Sequence, residues 1–376
     1  MNGTVIAKAE GLPDIEIRPE RGRLVRPERI EAVEFGTLFT PNMFRMRWVD
    51  GAWRDACIEP VQELRLHPGA TVLHYAQSAF EGLKAYRQKS GDVVLFRPEM
   101  NLARMNATAR RMQMPEIPED FAMRAILALV EVEKDQIPDL PGTLYIRPTL
   151  IGTAPQVKVA PSREYVFYIL TLVSGPYFRG TTGRDPGAVC VFIAQERSRA
   201  GFGGTGGVKA GANYAGTLEI TAHARERKCG QVLFLEARDA PLRDRRVEEM
   251  GGMNVFFVRD GELHTPALHG TILPGVTRDS LLRIARAEGI RVHERDIPFG
   301  WVEDGLADGG ITEAFACGTA AVVTGIGAFH YEDGREMKPA AAAPGPMTNR
   351  LFSLLCGIQF GDLPDRFGWL RKACRA

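Results

Sequence analysis

The sequence predicts an α+β protein of two domains, and three observations carry that expectation. Apolar runs of strand length, several closed by turn dipeptides, recur along the whole chain. After Pro98 and again after Pro118 the apolar spacing changes to that of amphipathic helices. The stretch FRGTTGRDPGA, 178–188, is rich in glycine, threonine and charge between two strand-like runs, and reads as a linker. It separates a smaller N-terminal α+β domain, 1–177, from a larger C-terminal domain, 189–376. A chain of 376 residues can bury two cores of that size.

Residues 1–30 are charged and dotted with proline, as in a loose arm. Val33 to Phe39 reads as a strand, and a hairpin follows around Asp50-Gly51, a strong turn dipeptide. A short helical patch is expected near Ala79 to Gly82, with strands on both sides. Leu102, Met105, Ala109 and Met112 fall on one helical face, and FAMRAILALVEVEKDQ forms a second helix. GTLYIRPTLIGT and EYVFYILTLVSG are strands of a mostly antiparallel sheet. In the second half VCVFIAQE is a strand, and a glycine loop follows it. A helix after Tyr214 turns Leu218, Ala222 and Ala224 inward. VLFLEA is a strand, DAPLRDRR an exposed turn, and NVFFVRDGELHTP a hairpin at Asp260-Gly261. Thr277 caps a helix that ends at Gly289. Two strands flank a Gly-Thr-Ala turn within 311–330. A helix from Met347 closes the chain, and Trp369 anchors the tail.

Composition narrows the function classes. Apolar residues make up 45% and charged residues 25%, ordinary values for a globular protein. The net charge of +1, without a basic stripe, disfavours nucleic acid or an acidic membrane as partner. The six cysteines contain no CxxC, so neither a zinc ribbon nor a thioredoxin-like dithiol is expected, and no metal. Their scatter suits a reducing compartment, where most fill the core. With no secretory leader and no apolar run of about 20 residues, a cytoplasmic location is expected.

The chemistry centres on Gly203 to Gly230, where Lys209 stands among glycines and small residues and Tyr214 follows. A lysine surrounded by backbone and an aromatic ring is easily desolvated, which makes its amine nucleophilic toward carbonyls. Gly201, Gly203 and Gly206 also spell GxGxxG, the dinucleotide fingerprint. Against it, Glu236 lies about thirty residues past Gly206, where the ribose contact wants about 20. A phosphate loop fails because Val208 precedes Lys209 and Ala210 follows it.

A lysine used for amine chemistry suggests a Schiff base with pyridoxal phosphate. That cofactor also needs a charge partner for its ring nitrogen and a phosphate cradle. Glu249, at the edge of a strand before two glycines, can supply the first; Glu248 reads equally well as a surface residue. Val276 and Thr277 stand at a helix N-terminus, which favours anions. A simple Pro-Gly turn explains that segment as well. Arg104 projects from an apolar helix and wants a fixed anion.

With those residues in place the chain resembles the branched-chain amino acid aminotransferases of the class IV, pyridoxal-phosphate-dependent aminotransferase family. The motifs LHYAQSAFEGLKAYR, FRPEMNLARM, YIRP, GGTGGVKAGANY, EEMGGMNVFFV, LPGVTRDSLL and FACGTAA occur in the right order from Phe35 to Trp369. The resemblance implies a fold-type IV enzyme, α+β, with the cofactor at the interface of its two domains and a β-barrel-like core in the second. It implies that Lys209 carries the Schiff base and shuttles the proton. Tyr214 would bond the ring hydroxyl oxygen, and Glu249 the pyridine nitrogen. Arg104, Val276, Thr277 and Thr319 would hold phosphate, and Thr319 with Ala320 the substrate α-carboxylate. Phe35, Tyr75, Phe80, Tyr145 and Tyr177 would line the side-chain pocket. Arg147, helped by Tyr75, would meet the distal carboxylate of glutamate. The implied reaction moves an amino group between leucine, isoleucine or valine and 2-oxoglutarate, in a homodimer.

Two departures from the family pattern stand out. Cys317 before the turn has no CxxC after it, so the redox switch of some members is not expected. VVTGIGAFHYEDG lacks the usual proline, which leaves open a relative specialised for an unusual branched or aromatic amino acid. A D-amino acid aminotransferase or aminodeoxychorismate lyase fits YIRP and EEMGGMN less well. A nicotinamide dehydrogenase or a binding module with an exposed Lys209 are the rivals outside the fold.

Overall fold

The computed structural model describes residues 4–6, 12–25, 27–178 and 185–375, so most of the expected linker lies outside the described residues. The chain divides into two compact units. One comprises Met1–Arg179, Lys209–Ala212 and Gln359–Ala376; the other comprises Gly180–Val208 and Asn213–Ile358.

The first unit is built on a ten-stranded sheet. Its centre is the long antiparallel ladder of Phe39–Val49, Tyr165–Ser174, Thr143–Gly152 and Leu83–Arg87. The hairpin joining Phe39–Val49 to Ala52–Pro60 turns where expected. Asp50 and Gly51 both take positive φ, 51° and 72°, as a turn matched to the strand twist requires. The helices Pro98–Arg111 and Glu119–Val132 supply Leu102, Met105, Phe121, Ile126 and Leu129 to one core with Phe44, Phe167 and Ile146 of the sheet. Phe44 sits edge-on to Phe121 and Phe167, at 6.3 and 6.0 Å between centroids.

Several local expectations give way to long-range pairing. Ile15–Ile17, inside the supposed loose arm, pairs in parallel with Ala52–Pro60. Residues 33–38 are turn and coil, and the strand starts at Phe39. Ala79 and Phe80 are not helical: Ser78–Phe80 is a strand on Thr143–Gly152, and the short helix is Thr71–Tyr75. The tail does more than anchor Trp369, because Leu370–Arg375 forms the edge strand beside Asp92–Phe96. Arg97 N–H donates to the Trp369 carbonyl at 2.8 Å, and its guanidinium lies 4.8 Å from that indole.

The second unit carries a nine-stranded mixed sheet in the order Val247–Met250, Gln231–Leu235, Ala188–Ala194, Val322–His330, Ile311–Gly318, Asn254–Arg259, Glu262–Pro266, Val292–Arg295, with Glu336–Met337 as a ninth strand paired to Val322–His330 off this path. Val247 N–H donates to the Ile297 carbonyl at 2.8 Å, and Arg246 bridges Pro298, which joins the two ends of the sheet. The hairpin at Asp260-Gly261 again has two positive φ values, 54° and 72°. The helix Leu218–Glu226 buries Ala224, but Leu218 and Ala222 are exposed. Thr277 is not a cap: the helix Val276–Ala287 is preceded by Gly275, and Thr277 lies inside its first turn. Cys190 and Cys229 form a disulfide across 39 residues, a partnership their spacing did not suggest. Among the described residues, no helix is long and apolar enough to cross a membrane.

Phe121 is 1% exposed at the meeting of helix and sheet. Phe121→Ala should therefore destabilise the protein by about 3–5 kcal/mol, seen as a lower urea midpoint for the unfolding of the first unit.

Candidate active site

In the first unit, Lys209 belongs to the sheet rather than to a free loop. Ala210 bridges Ala79, Phe80 N–H donates to the Lys209 carbonyl at 3.2 Å, and Gly211 N–H donates to the Ser78 carbonyl at 3.1 Å. Lys209 N–H donates to Thr108 Oγ1 at 3.1 Å, which ties it to the helix Pro98–Arg111. The lysine is half-buried, and its Nζ lies 4.7 Å from the centre of the Phe80 ring.

Arg104 stands on that same helix, and the structure supplies the fixed anion it wants. Glu81 is fully buried and takes Arg104 in a two-pronged pair, Nε to Oε1 at 2.6 Å and Nη2 to Oε2 at 2.8 Å. Asn101 Nδ2 donates to Oε2 as well, at 2.8 Å. Burial pushes the Glu81 carboxyl up, but Arg104 and Lys209 beside it hold it below the usual carboxylate range. The sequence reading missed Glu81. The only signal was an acidic residue inside the apolar AFEGL, with its partner 23 residues away.

Five residues form an aromatic and cationic wall. Arg147 Nη2 donates to the Tyr145 hydroxyl at 3.2 Å, and its guanidinium lies 4.8 Å from the Phe80 ring and 5.3 Å from that of Tyr145. Phe35 packs edge-on to Tyr145 and Tyr177, at 4.9 and 5.1 Å. Gly82 is obligatory here, because a Cβ on it would overlap the Tyr145 hydroxyl. Arg147 Nε is buried and, among the described residues, has no hydrogen-bond partner. Tyr75 stands apart from this group: its ring is exposed and its hydroxyl donates to the Val157 carbonyl at 2.7 Å. Within one chain Arg147 thus takes its hydroxyl from Tyr145, not from Tyr75.

The second unit gathers the remaining candidates. Glu249 is 2% exposed, accepts the Leu273 N–H at 3.0 Å and is ion-paired with Arg199. Arg199 is equally buried and donates to the carbonyls of Gly206 and Thr271 at 2.8 and 2.6 Å. Arg199 was another omission from the sequence reading, a charge just ahead of the glycine loop with its partner fifty residues on. Glu248 is buried too, contrary to its surface reading; burial pushes its carboxyl up. Neighbouring strand residues face opposite ways, so the two glutamates serve different surroundings.

Tyr214 lies against Gly252, 3.7 Å from where a Cβ would be. Asn254 pairs with Cys317, which sets the Thr319–Ala320 turn next to the Gly252–Met253 segment. Val322, just after that turn, holds φ at 61°, an outlier for a β-branched residue and a sign of a constrained turn. Asn254 Nδ2 also donates to the Leu273 carbonyl at 3.0 Å, beside Gly275 and the start of the helix Val276–Ala287. Val276 and Thr277 are buried, and the residue before them, Gly275, has no side chain with which to cap the helix. A buried, uncapped helix N-terminus is suited to an anion. Of the GxGxxG glycines only Gly206 serves packing, since a Cβ on it would overlap the Thr271 carbonyl; Gly201 and Gly203 have open space around them, and Gly203 holds a positive φ of 73°. Cys317 is fully buried, and burial pushes its thiol far up, so it is a poor nucleophile.

Comparisons with known proteins agree on one family. Residues 78–329 match the family model described as amino-transferase class IV. A branched-chain-amino-acid aminotransferase of Mycolicibacterium smegmatis is 43% identical over 345 residues, 90% of this chain and 91% of that protein. The crystal structure of the Escherichia coli branched-chain amino acid aminotransferase superposes with a TM-score of 0.70 at 24% identity, over 88% of this chain and 99% of that one. The PLP form of the Thermobaculum terrenum branched-chain amino acid aminotransferase gives 0.70 at 24% identity, over 89% and 100%.

Removing Arg199 would leave Glu249 buried without its counter-charge. Arg199→Ala should cost about 3–5 kcal/mol in urea unfolding, and Arg199→Lys should cost less.

Proposed function

As the chain belongs to the class IV aminotransferase family and, within it, to the branched-chain-amino-acid aminotransferases, we propose that it transfers an amino group reversibly between leucine, isoleucine or valine and 2-oxoglutarate. The observation that carries this reading is the wall of Phe35, Phe80, Tyr145 and Tyr177 around Arg147. A transaminase of this kind takes an apolar side chain in one half-reaction and a carboxylate in the other. The rings suit the first. The buried Arg147 Nε, without a partner among the described residues, suits the second. Tyr145 and the Phe80 ring face share the guanidinium charge when no carboxylate is present.

The residues also fit pyridoxal phosphate. The buried helix start at Val276–Thr277 suits its phosphate, and the buried carboxylate of Glu249 suits a protonated ring nitrogen. In this reading Arg104, whose Nε and Nη2 are held by Glu81, would turn its remaining N–H groups to the phosphate. When bound, the cofactor supplies an electron sink for the pair released as a substrate Cα–H bond breaks. In this reading Lys209 Nζ would hold the cofactor covalently until the substrate's amino group takes over that bond, and the freed amine would then accept the α-proton and return it. The strand pairing of Lys209 with Phe80 fixes where that amine stands. Tyr214 orients the ring through its hydroxyl, and Arg199 holds the Glu249 carboxylate in place. Thr319 adds to the phosphate cradle. With Ala320 it also offers backbone N–H groups to the substrate α-carboxylate, while Phe35, Phe80, Tyr145 and Tyr177 exclude water from the side chain. Tyr75, whose exposed ring stands apart from that wall within one chain, would join the pocket only by swinging its hydroxyl off the Val157 carbonyl. The reading further includes a cytoplasmic homodimer that acts on small amino acids and 2-oxo acids.

Lys209→Ala should abolish turnover, and borohydride treatment of the wild type should leave a cofactor adduct on the Lys209 peptide by mass spectrometry. Turnover in the variant, or an adduct elsewhere, would overturn the assignment. Half-reactions measured separately should split in Arg147→Met. The KM for 2-oxoglutarate should rise at least tenfold, as expected for a lost charged hydrogen bond of about 1.5–3 kcal/mol, with leucine far less affected.

A further inference from the structure

We propose that Glu262, His264 and His293 form a binding site for a borderline divalent metal ion of the Zn2+ or Ni2+ class. None of these residues takes part in the reading above, and the site stands independently of it. Glu262 and His264 are two apart on the strand Glu262–Pro266, so they project from one face. His293 lies on the neighbouring parallel strand Val292–Arg295, in direct register with His264. The two imidazoles stack at 4.6 Å between centroids and 11° between planes. One donor atom from each of the three residues lies within 4.8 Å of the others.

Zinc with bonds of about 2.0–2.1 Å to nitrogen and oxygen places its tetrahedral donors about 3.4 Å apart. Closing that gap requires the stacked imidazoles to tilt toward one another, and the outer two ligands lie where that is possible, with Glu262 and His293 side chains 25% and 34% exposed. His264 forms the floor at 8% exposure. Its Nδ1 is buried and, among the described residues, has no hydrogen-bond partner. A buried imidazole nitrogen left that way is costly to the fold, and a metal bond would remove that cost. His293 Nε2 and Glu262 Oε2 are 2.6 Å apart and share a proton that a cation can replace. The other oxygen of Glu262 holds Arg291 at 2.5 Å, which orients the carboxylate from behind.

Two imidazoles and one carboxylate select against Ca2+ and Mg2+, which demand several oxygens. Three protein donors leave one position for water or an outside ligand. The second grouping of this kind, Cys190, Cys229 and His330, has its two sulfurs joined to each other.

The test is calorimetric titration of Zn2+, and separately Ni2+, into the full-length protein after chelator treatment and dialysis. One ion per chain is expected. Glu262→Gln and His293→Ala should each weaken it at least about tenfold, and Cys190→Ser should leave it unchanged. The two ligand substitutions fall on partly exposed side chains. An unchanged far-UV circular dichroism spectrum separates lost binding from lost fold, and His293→Gln replaces any variant that unfolds. No binding by the wild type, binding that survives both ligand variants, or binding lost with Cys190→Ser would overturn the assignment.

Discussion

Two backbone hydrogen bonds, Phe80 N–H to the Lys209 carbonyl and Gly211 N–H to the Ser78 carbonyl, fix the position of the candidate amine. They turn four residues of a glycine-rich connection into an extension of the first unit's sheet. A third bond, from Lys209 N–H to Thr108, adds the helix that carries Arg104. The amine is thereby mounted on regular elements, which hold a side chain more closely than a loop would. The nearby wall inherits the same support, since Phe80, Tyr145 and Arg147 all stand on paired strands.

Each unit also holds a buried ion pair. Glu81 with Arg104 and Glu249 with Arg199 share a design: a carboxylate without solvent, a guanidinium bonded to it, and further hydrogen bonds from Asn101 in one case and the Leu273 backbone in the other. Such pairs add little net stability, because removing two charges from water is costly. What they provide is direction. A guanidinium gripped at two points cannot turn, and a carboxylate gripped from behind presents a fixed oxygen.

Much of this was legible in the sequence, and the legible parts have local causes. The Asp-Gly turns at 50–51 and 260–261 announce positive φ, and the structure has it at both residues of each. The helix Pro98–Arg111 follows from its apolar spacing, and Lys209, Glu249 and Arg147 were singled out by their motifs. The parts that were not legible depend on distant partners. Ala79 to Gly82 looks helical in isolation, yet pairing with residues 149–151 makes Ser78–Phe80 a strand. Glu81 and Arg199 carry no local pattern because the charges that explain them lie 23 and fifty residues away. Thr277 looked like a cap because its neighbours are turn formers, but the helix begins one residue before it. Cys190 and Cys229 meet only because the strand that carries Cys190 pairs with Gln231–Leu235, which begins two residues after Cys229.

The edge strand Leu370–Arg375 has a bearing on synthesis. It completes a sheet whose other strands come from the first half of the chain, with Asp92–Phe96 as its neighbour. Residues 209–212 join the same unit from the middle. During vectorial translation the earliest residues to emerge therefore cannot finish their own domain. They must keep an open flank, with Trp369 not yet stacked on Arg97, until residues 369–375 have been made. The second unit, nearly continuous in the chain, reaches its full complement sooner. The order of maturation thus runs opposite to the order of emergence, and the exposed flank of Asp92–Phe96 is where a nascent chain would need shielding.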